Sequence, residues 1–122
     1  ILENEPEIVS EMFISNQTYE TYMAGMRKVI TEFGGTADDY FGGNQDPDGP
    51  GSFPVAVCAK TGTAEVGGEK RPNAMLAGFV ADGNYPLAFI VCVEDGGYGA
   101  DVCLPIASQV ISACVEAMNS NA

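Results

Sequence analysis

The apolar positions of the chain fall into two registers. Tyr19, Met23, Met26, Ile30 and Phe33 recur at three- and four-residue steps, the period of one face of a helix. Ser15 or Asn16 offers a side-chain acceptor for the first turn, and Gly34-Gly35 offers the left-handed conformation that ends a helix. The spacing therefore predicts a helix to about Phe33, with the methionines in the core. Ahead of it, residues 7–14 (EIVSEMFI) read as an extended arm, because β-branched and aromatic residues dominate.

After a Gly-, Pro- and Asp-rich loop over residues 34–54, the pattern changes. PVAVCAKTGTAE, AMLAGFVAD and PLAFIVCVED are short apolar runs separated by turn residues, Gly83-Asn84 among them. Such short links imply antiparallel neighbours. Because the runs are almost wholly apolar, at least the central strand is expected to be covered on both faces. A second helix follows, with Asp101 as its cap, Pro105 within its first turn, and Cys103, Ile106, Ala107, Val110, Cys114 and Met118 on one face. The order of arm, helix, loop, three strands and helix predicts an α+β fold, an antiparallel sheet packed with helices.

Charge narrows what such a domain can do. The net charge is −12, and the basic residues are Arg27, Lys28, Lys60, Lys70 and Arg71. That excludes a basic stripe for nucleic acid and makes an anionic membrane surface a poor direct partner. There is no histidine, which removes His-based triads and the commonest metal ligand together. Cys58, Cys92, Cys103 and Cys114 form no C-x-x-C pair, so no zinc site and no cofactor are expected. All four sit at apolar positions and read as buried free thiols; two disulfides, in any of three pairings, remain the alternative. No apolar run reaches the ~18 residues of a membrane span, the longest being Leu87 to Val93. At 122 residues the chain is one domain's worth of material, and without an initiating Met or a signal peptide it reads as part of a longer protein or a mature product.

Within this acidic chain one cation stands out. Lys60 closes the apolar run VAVCA and is followed by Thr61-Gly62-Thr63. An ammonium is costly to bury unpaired, so the plain reading is that Lys60 reaches solvent or pairs with Glu65. On a strand, Thr61 and Thr63 share one face and Lys60 and Gly62 the other. Gly62 leaves room for a close backbone or ligand approach. A strand edge with an ammonium, hydroxyls and free N–H groups suits carboxylate docking and oxyanion stabilisation.

The string KTGTAE resembles the K-T-G motif of the penicillin-binding protein transpeptidases, of the class B type. Gly25-Met26-Arg27-Lys28-Val29 resembles the helix ahead of that motif, and Gly35-Thr36-Ala37 the G-T-A after it. Asn73 to Phe79 resembles the strand N-A-W-F-x-G-F, with Met75 in place of Trp, and Pro105-Ile106-Ala107 the start of the terminal helix. Ala59 departs from a frequent Gly. The resemblance spans residues 20 to 118. It implies a peptidoglycan D,D-transpeptidase that cross-links D-alanyl stem peptides through a serine acyl-enzyme and binds β-lactams. Lys60 and Thr63 would be catalytic, and Thr61, Gly62 and Thr63 would bind substrate. It also implies a membrane-anchored parent on the extracytoplasmic face.

The family's S-x-x-K and S-x-N motifs both precede K-T-G. None of Ser10, Ser15, Ser52, Ser108, Ser112 and Ser120 begins either. Residues 1–122 therefore read as the C-terminal portion of a transpeptidase domain, inactive in isolation, whose partners are the rest of that domain, stem peptides and β-lactams. The third strand would lack its neighbour and expose an apolar edge, to be covered by the N-terminal arm or by self-association with a second copy of the chain. A D,D-carboxypeptidase or β-lactamase relative, or a non-catalytic sensor, would share these features; the sequence upstream of Ile1 discriminates among them.

Overall fold

The computed structural model describes residues 13–42 and 53–120. Helix α1 spans Asn16–Thr31, strands β1, β2 and β3 span Val57–Ala64, Asn73–Val80 and Ala88–Val93, and helix α2 spans Gly99–Ser120. The sheet has the order β1-β2-β3 with both pairings antiparallel, which is the α+β arrangement the pattern predicts. Residues 7–12 of the expected arm lie outside the described residues. Phe13 and Ile14 are exposed and in no strand.

Helix α1 begins where its chemistry dictates. Ser15 is the N-cap, and its Oγ accepts from the Thr18 amide at 3.1 Å, satisfying one of the four donors a helix start leaves unpaired. It ends at Thr31, two residues short of the expected limit, with Glu32 as an extended C-cap and Gly34 at φ 81°. Phe33 is consequently thrown out to solvent, 96% exposed, rather than joining the helix face. Of the predicted face only Ile30 is fully buried; Met23 and Met26 are half-buried and Tyr19 is exposed. The helical methionines are thus not core residues in this chain.

The sheet buries one face well. Ala74, Leu76, Gly78 and Val80 of β2 are buried, and Leu76 pairs with Thr61 on one side and Val91 on the other. On the opposite face of β2, Ala77 is exposed and Met75 and Phe79 are half-buried. The expectation that the central strand is covered on both faces therefore fails: α1 packs on β1, and nothing among the described residues covers the middle of that face.

Helix α2 starts three residues earlier than expected. Gly99 opens it, so Asp101 lies inside the first turn rather than capping it, and Pro105 sits in the second turn. The buried stripe is Cys103, Leu104, Ala107, Ile111 and Val115, at the i, i+3/i+4 spacing of a core face. Ile106 and Val110, expected on that face, are 41% and 55% exposed. The helix is long and apolar enough to cross a bilayer by length and composition, contrary to the run-length expectation; its apolar stripe is instead packed on the sheet. All four cysteines are free: Cys58 and Cys103 are buried, Cys114 is half-buried, and Cys92, expected to be buried, is exposed.

Candidate functional site

Strand β1 is an outer strand of the sheet, and it carries Lys60, Thr61, Gly62 and Thr63 in one extended run. Its pairing with β2 is continuous from Val57↔Val80 to Ala64↔Asn73, so the two-residue alternation holds without a bulge. Lys60 and Gly62 therefore take one face, and Thr61 and Thr63 the other. Lys60 and Thr63 are exposed; Thr61 and Gly62 are half-buried. Lys60 reaches solvent, as the plain reading anticipates, but without Glu65: its ammonium donates to the Thr61 carbonyl at 2.7 Å.

The Lys60 side chain lines an open cleft of about 380 Å³ between β1 and α1, together with Lys28, Glu32, Gly35 and Thr36. Two of the chain's five basic residues thus meet there. The Lys28 ammonium is held by Glu32 at 2.9 Å one turn along the helix, which leaves Lys60 as the cation of this cleft without a carboxylate partner among the described residues. An ammonium in that position raises the local concentration of anions and can dock a carboxylate.

The segment after α1 explains its own sequence. Gly35 presses on the helix end: a Cβ there would come within 2.8 Å of the Val29 carbonyl carbon and 2.9 Å of the Glu32 oxygen. Ala37 is buried, and its amide donates to the Val29 carbonyl at 3.1 Å. Between them, the Thr36 hydroxyl reaches across to Thr61, Oγ1 to Oγ1, at 2.9 Å. Thr36 joins the four candidate residues that sequence reasoning singles out. Its signal is the Gly35-Thr36-Ala37 string, which marks the segment but not the hydroxyl contact.

Behind β1, the N-terminus of α2 lies against Gly62. A Cβ on Gly99 would be 2.6 Å from the Gly62 carbonyl oxygen and would overlap the Met75 oxygen more severely. A Cβ on Gly78 would be 2.5 Å from the Phe89 ring and would also run into the Cys58 carbonyl oxygen. Asn73, at the start of β2, accepts the Asp95 amide through Oδ1 at 3.1 Å and so steadies a residue at φ 53°, uncommon for a side chain other than glycine. Within the Asn73–Phe79 string, Gly78 is thus dictated by close approach and Asn73 by its hydrogen bond to Asp95.

Two thiols are buried, Cys58 on β1 and Cys103 on α2. Burial pushes the Cys58 thiol up, with the Arg27 guanidinium partly opposing the shift. Burial also pushes Cys103 up, and the neighbouring Cys92 adds to it. Both are thereby kept protonated, and thiols are poor nucleophiles in that form. Among the described residues no cluster of His, Cys, Asp and Glu could hold a metal ion.

No curated protein sequence matches the chain. Among solved structures, it is similar to the crystal structure of Pseudomonas aeruginosa PBP2 in complex with WCK 5153, with 26% identity and a TM-score of 0.69. That similarity covers 91% of this chain and 23% of the Pseudomonas protein, so the chain spans about a quarter of the length of the structure it matches. The model of the penicillin-binding protein transpeptidase domain matches residues 3–112. Nearly the whole chain lies within that match, including the strand that carries Lys60 and the segment that carries Thr36, and the chain belongs to the penicillin-binding protein transpeptidase domain family.

Proposed function

We propose that residues 1–122 form the C-terminal portion of the transpeptidase domain of a class B penicillin-binding protein, a membrane-anchored, extracytoplasmic peptidoglycan D,D-transpeptidase. In that protein the chain supplies the strand that receives the substrate. The carrying observation is the exposed Lys60 ammonium on an unbroken outer strand, beside a cleft and directly ahead of Thr61-Gly62-Thr63.

The reaction follows from what this strand offers and what the sequence lacks. A serine hydroxyl supplied by the preceding part of the domain attacks the carbonyl between two terminal D-alanines. Its proton leaves through basic groups to which Lys60 contributes positive potential. The tetrahedral oxyanion is held by the Thr63 amide together with the nucleophile's own amide. The bond to the terminal D-alanine then breaks, leaving an ester on the serine, and the amine of a second stem peptide displaces the serine to form the cross-link. Thr63 and Thr61 dock the substrate or β-lactam carboxylate, Lys60 reaches the same groove around the outer edge of the strand from the opposite face, and Gly62 keeps the approach open. Thr36 acts on this site indirectly, by positioning the Thr61 hydroxyl.

The rest of the domain is also the proposed partner of β3. Among the described residues that strand is paired on one side only, with β2, and Ile90 on it is 69% exposed. An apolar edge strand with unpaired backbone groups recruits another strand. Without the rest of the domain, a second copy of the chain takes that place.

Acylation by a fluorescent penicillin tests the assignment. The isolated chain stays unlabelled, because no serine here begins S-x-x-K. The longer protein is labelled; Thr63→Pro, which removes an oxyanion donor, slows its acylation by about 100-fold or more, and Lys60→Ala slows it as well. A serine ester on the isolated chain, or wild-type acylation in Lys60→Ala, refutes the proposal.

A further inference from the structure

At the opposite end of β1 from Thr63 lies a second, smaller cavity of about 190 Å³, lined by Arg27, Phe41, Phe53, Val55 and Asp82. It holds several times the ~30 Å³ that a water occupies in the liquid. Lys60 is three residues further along the strand than Val57, roughly 10 Å at the rise of a β-strand, so this cavity is separate from the candidate cleft and does not rest on the proposed function.

Its walls carry one charge of each sign. The half-buried Arg27 guanidinium donates through Nη1 to the Val57 carbonyl at 2.7 Å. A guanidinium has five N–H donors in a fixed fork, and the Val57 carbonyl is the single acceptor Arg27 meets among the described residues. No carboxylate there lies within ion-pair reach of it. Asp82, on another wall, accepts the Asn84 amide through Oδ1 at 3.0 Å and has no cationic partner among the described residues. Two opposite charges thus face one cavity without neutralising each other, although partly buried charges favour pairing. The Phe41 and Phe53 rings, edge to face at 5.0 Å, add apolar surface to the lining.

A simple anion would gain the fork of Arg27 but meet repulsion from Asp82, and a simple cation would meet the reverse. We propose that the cavity binds a small zwitterion, an α-amino acid of about alanine's size. Its carboxylate takes the remaining N–H groups of Arg27, its ammonium lies against the Asp82 carboxylate, and its methyl group faces Phe41 and Phe53. Arginine rather than lysine suits this role, because the fork offers a carboxylate two parallel hydrogen bonds.

The test is an NMR titration of the full chain with L-alanine, acetate and methylammonium at constant ionic strength. L-Alanine should give saturable shifts of the Arg27 Nε–H and the Asn84 amide in the millimolar range or below. Acetate and methylammonium should each bind about tenfold more weakly or worse, since each satisfies one of the two charged walls. Arg27→Lys should weaken L-alanine binding to a similar degree, and Asp82→Asn should bring L-alanine down to the level of acetate. The comparison of three ligands on the unaltered chain stands even if a variant fails to fold. Acetate binding as tightly as L-alanine, or no saturation by L-alanine at tens of millimolar, overturns the inference, as does unchanged affinity in Arg27→Lys.

Discussion

Gly99→Ala is the sharpest probe of how the fold sets the candidate site, because it forces α2 away from the strand that carries Lys60. The added Cβ would lie 2.6 Å from the Gly62 carbonyl oxygen, 3.3 Å from the Gly62 nitrogen, and closer still to the Met75 oxygen. Ordinary Cβ contacts begin near 3.4 Å, so the helix start must retreat by most of an ångström. Both obstructing oxygens belong to paired backbone, at Gly62↔Met75, and neither can rotate aside. Overpacking of this kind costs about 1–3 kcal/mol, and rigid neighbours place this case near the upper end. At roughly 4 °C per kcal/mol for a chain of this size, the melting temperature should fall by about 10 °C. Gly25→Ala is the matched control. Gly25 lies within α1 and a Cβ there meets nothing within 4 Å, so the substitution should stabilise the chain by up to about 1 kcal/mol through helix propensity. Thermal melts followed by circular dichroism read both variants, and hydrogen exchange at the β1 amides should rise in Gly99→Ala alone. A Gly99→Ala melting temperature within about 2 °C of the parent refutes the packing argument, because no close approach would then exist to disturb.

Two further outcomes follow from burial and exposure. Because burial raises the thiol pKa of Cys58 and Cys103 in the folded chain, the unfolded chain loses those protons first, near the ordinary value of about 8.5. The associated stability is therefore complete below that pH and is lost as the pH rises toward the folded pKa values; urea midpoints under reducing conditions should drop between pH 7 and pH 9.5, and a flat profile counts against it. The isolated chain should associate in sedimentation velocity as its concentration rises, through β3, and Ile90→Lys should abolish this. That variant lowers the net negative charge, so loss of association could not be blamed on added repulsion; a monomer at every concentration ends the idea of a second copy on that edge.

The local strings were legible in the sequence because each is enforced by short-range chemistry. Ser15 caps α1 since its hydroxyl reaches the Thr18 amide within one turn. The three strands follow from runs of β-branched and aromatic residues broken by Gly-Asn and Gly-Gly turns. Lys60 stood out because cations are rare in this chain and rarer still inside an apolar run. The family strings were readable for the same kind of reason: Gly35, Gly78 and Asn73 answer to contacts with backbone that leave little choice of residue.

What the sequence could not determine was which apolar faces would find a partner. Periodicity assigns a residue to a face, and burial depends on what stands opposite. Ile106 and Val110 carry the right spacing for a core yet face outward, because the sheet meets α2 along Leu104, Ala107, Ile111 and Val115. Ala77 and Ile90 sit on strands apolar enough for two covered faces, and only tertiary packing reveals that one face is left open. The Thr36–Thr61 contact joins residues 25 apart, and the pairing of Arg27 with the Val57 carbonyl spans 30. Such contacts depend on the angle at which α1 lies on β1, and that angle is set by the summed packing of many side chains, none of which encodes it alone.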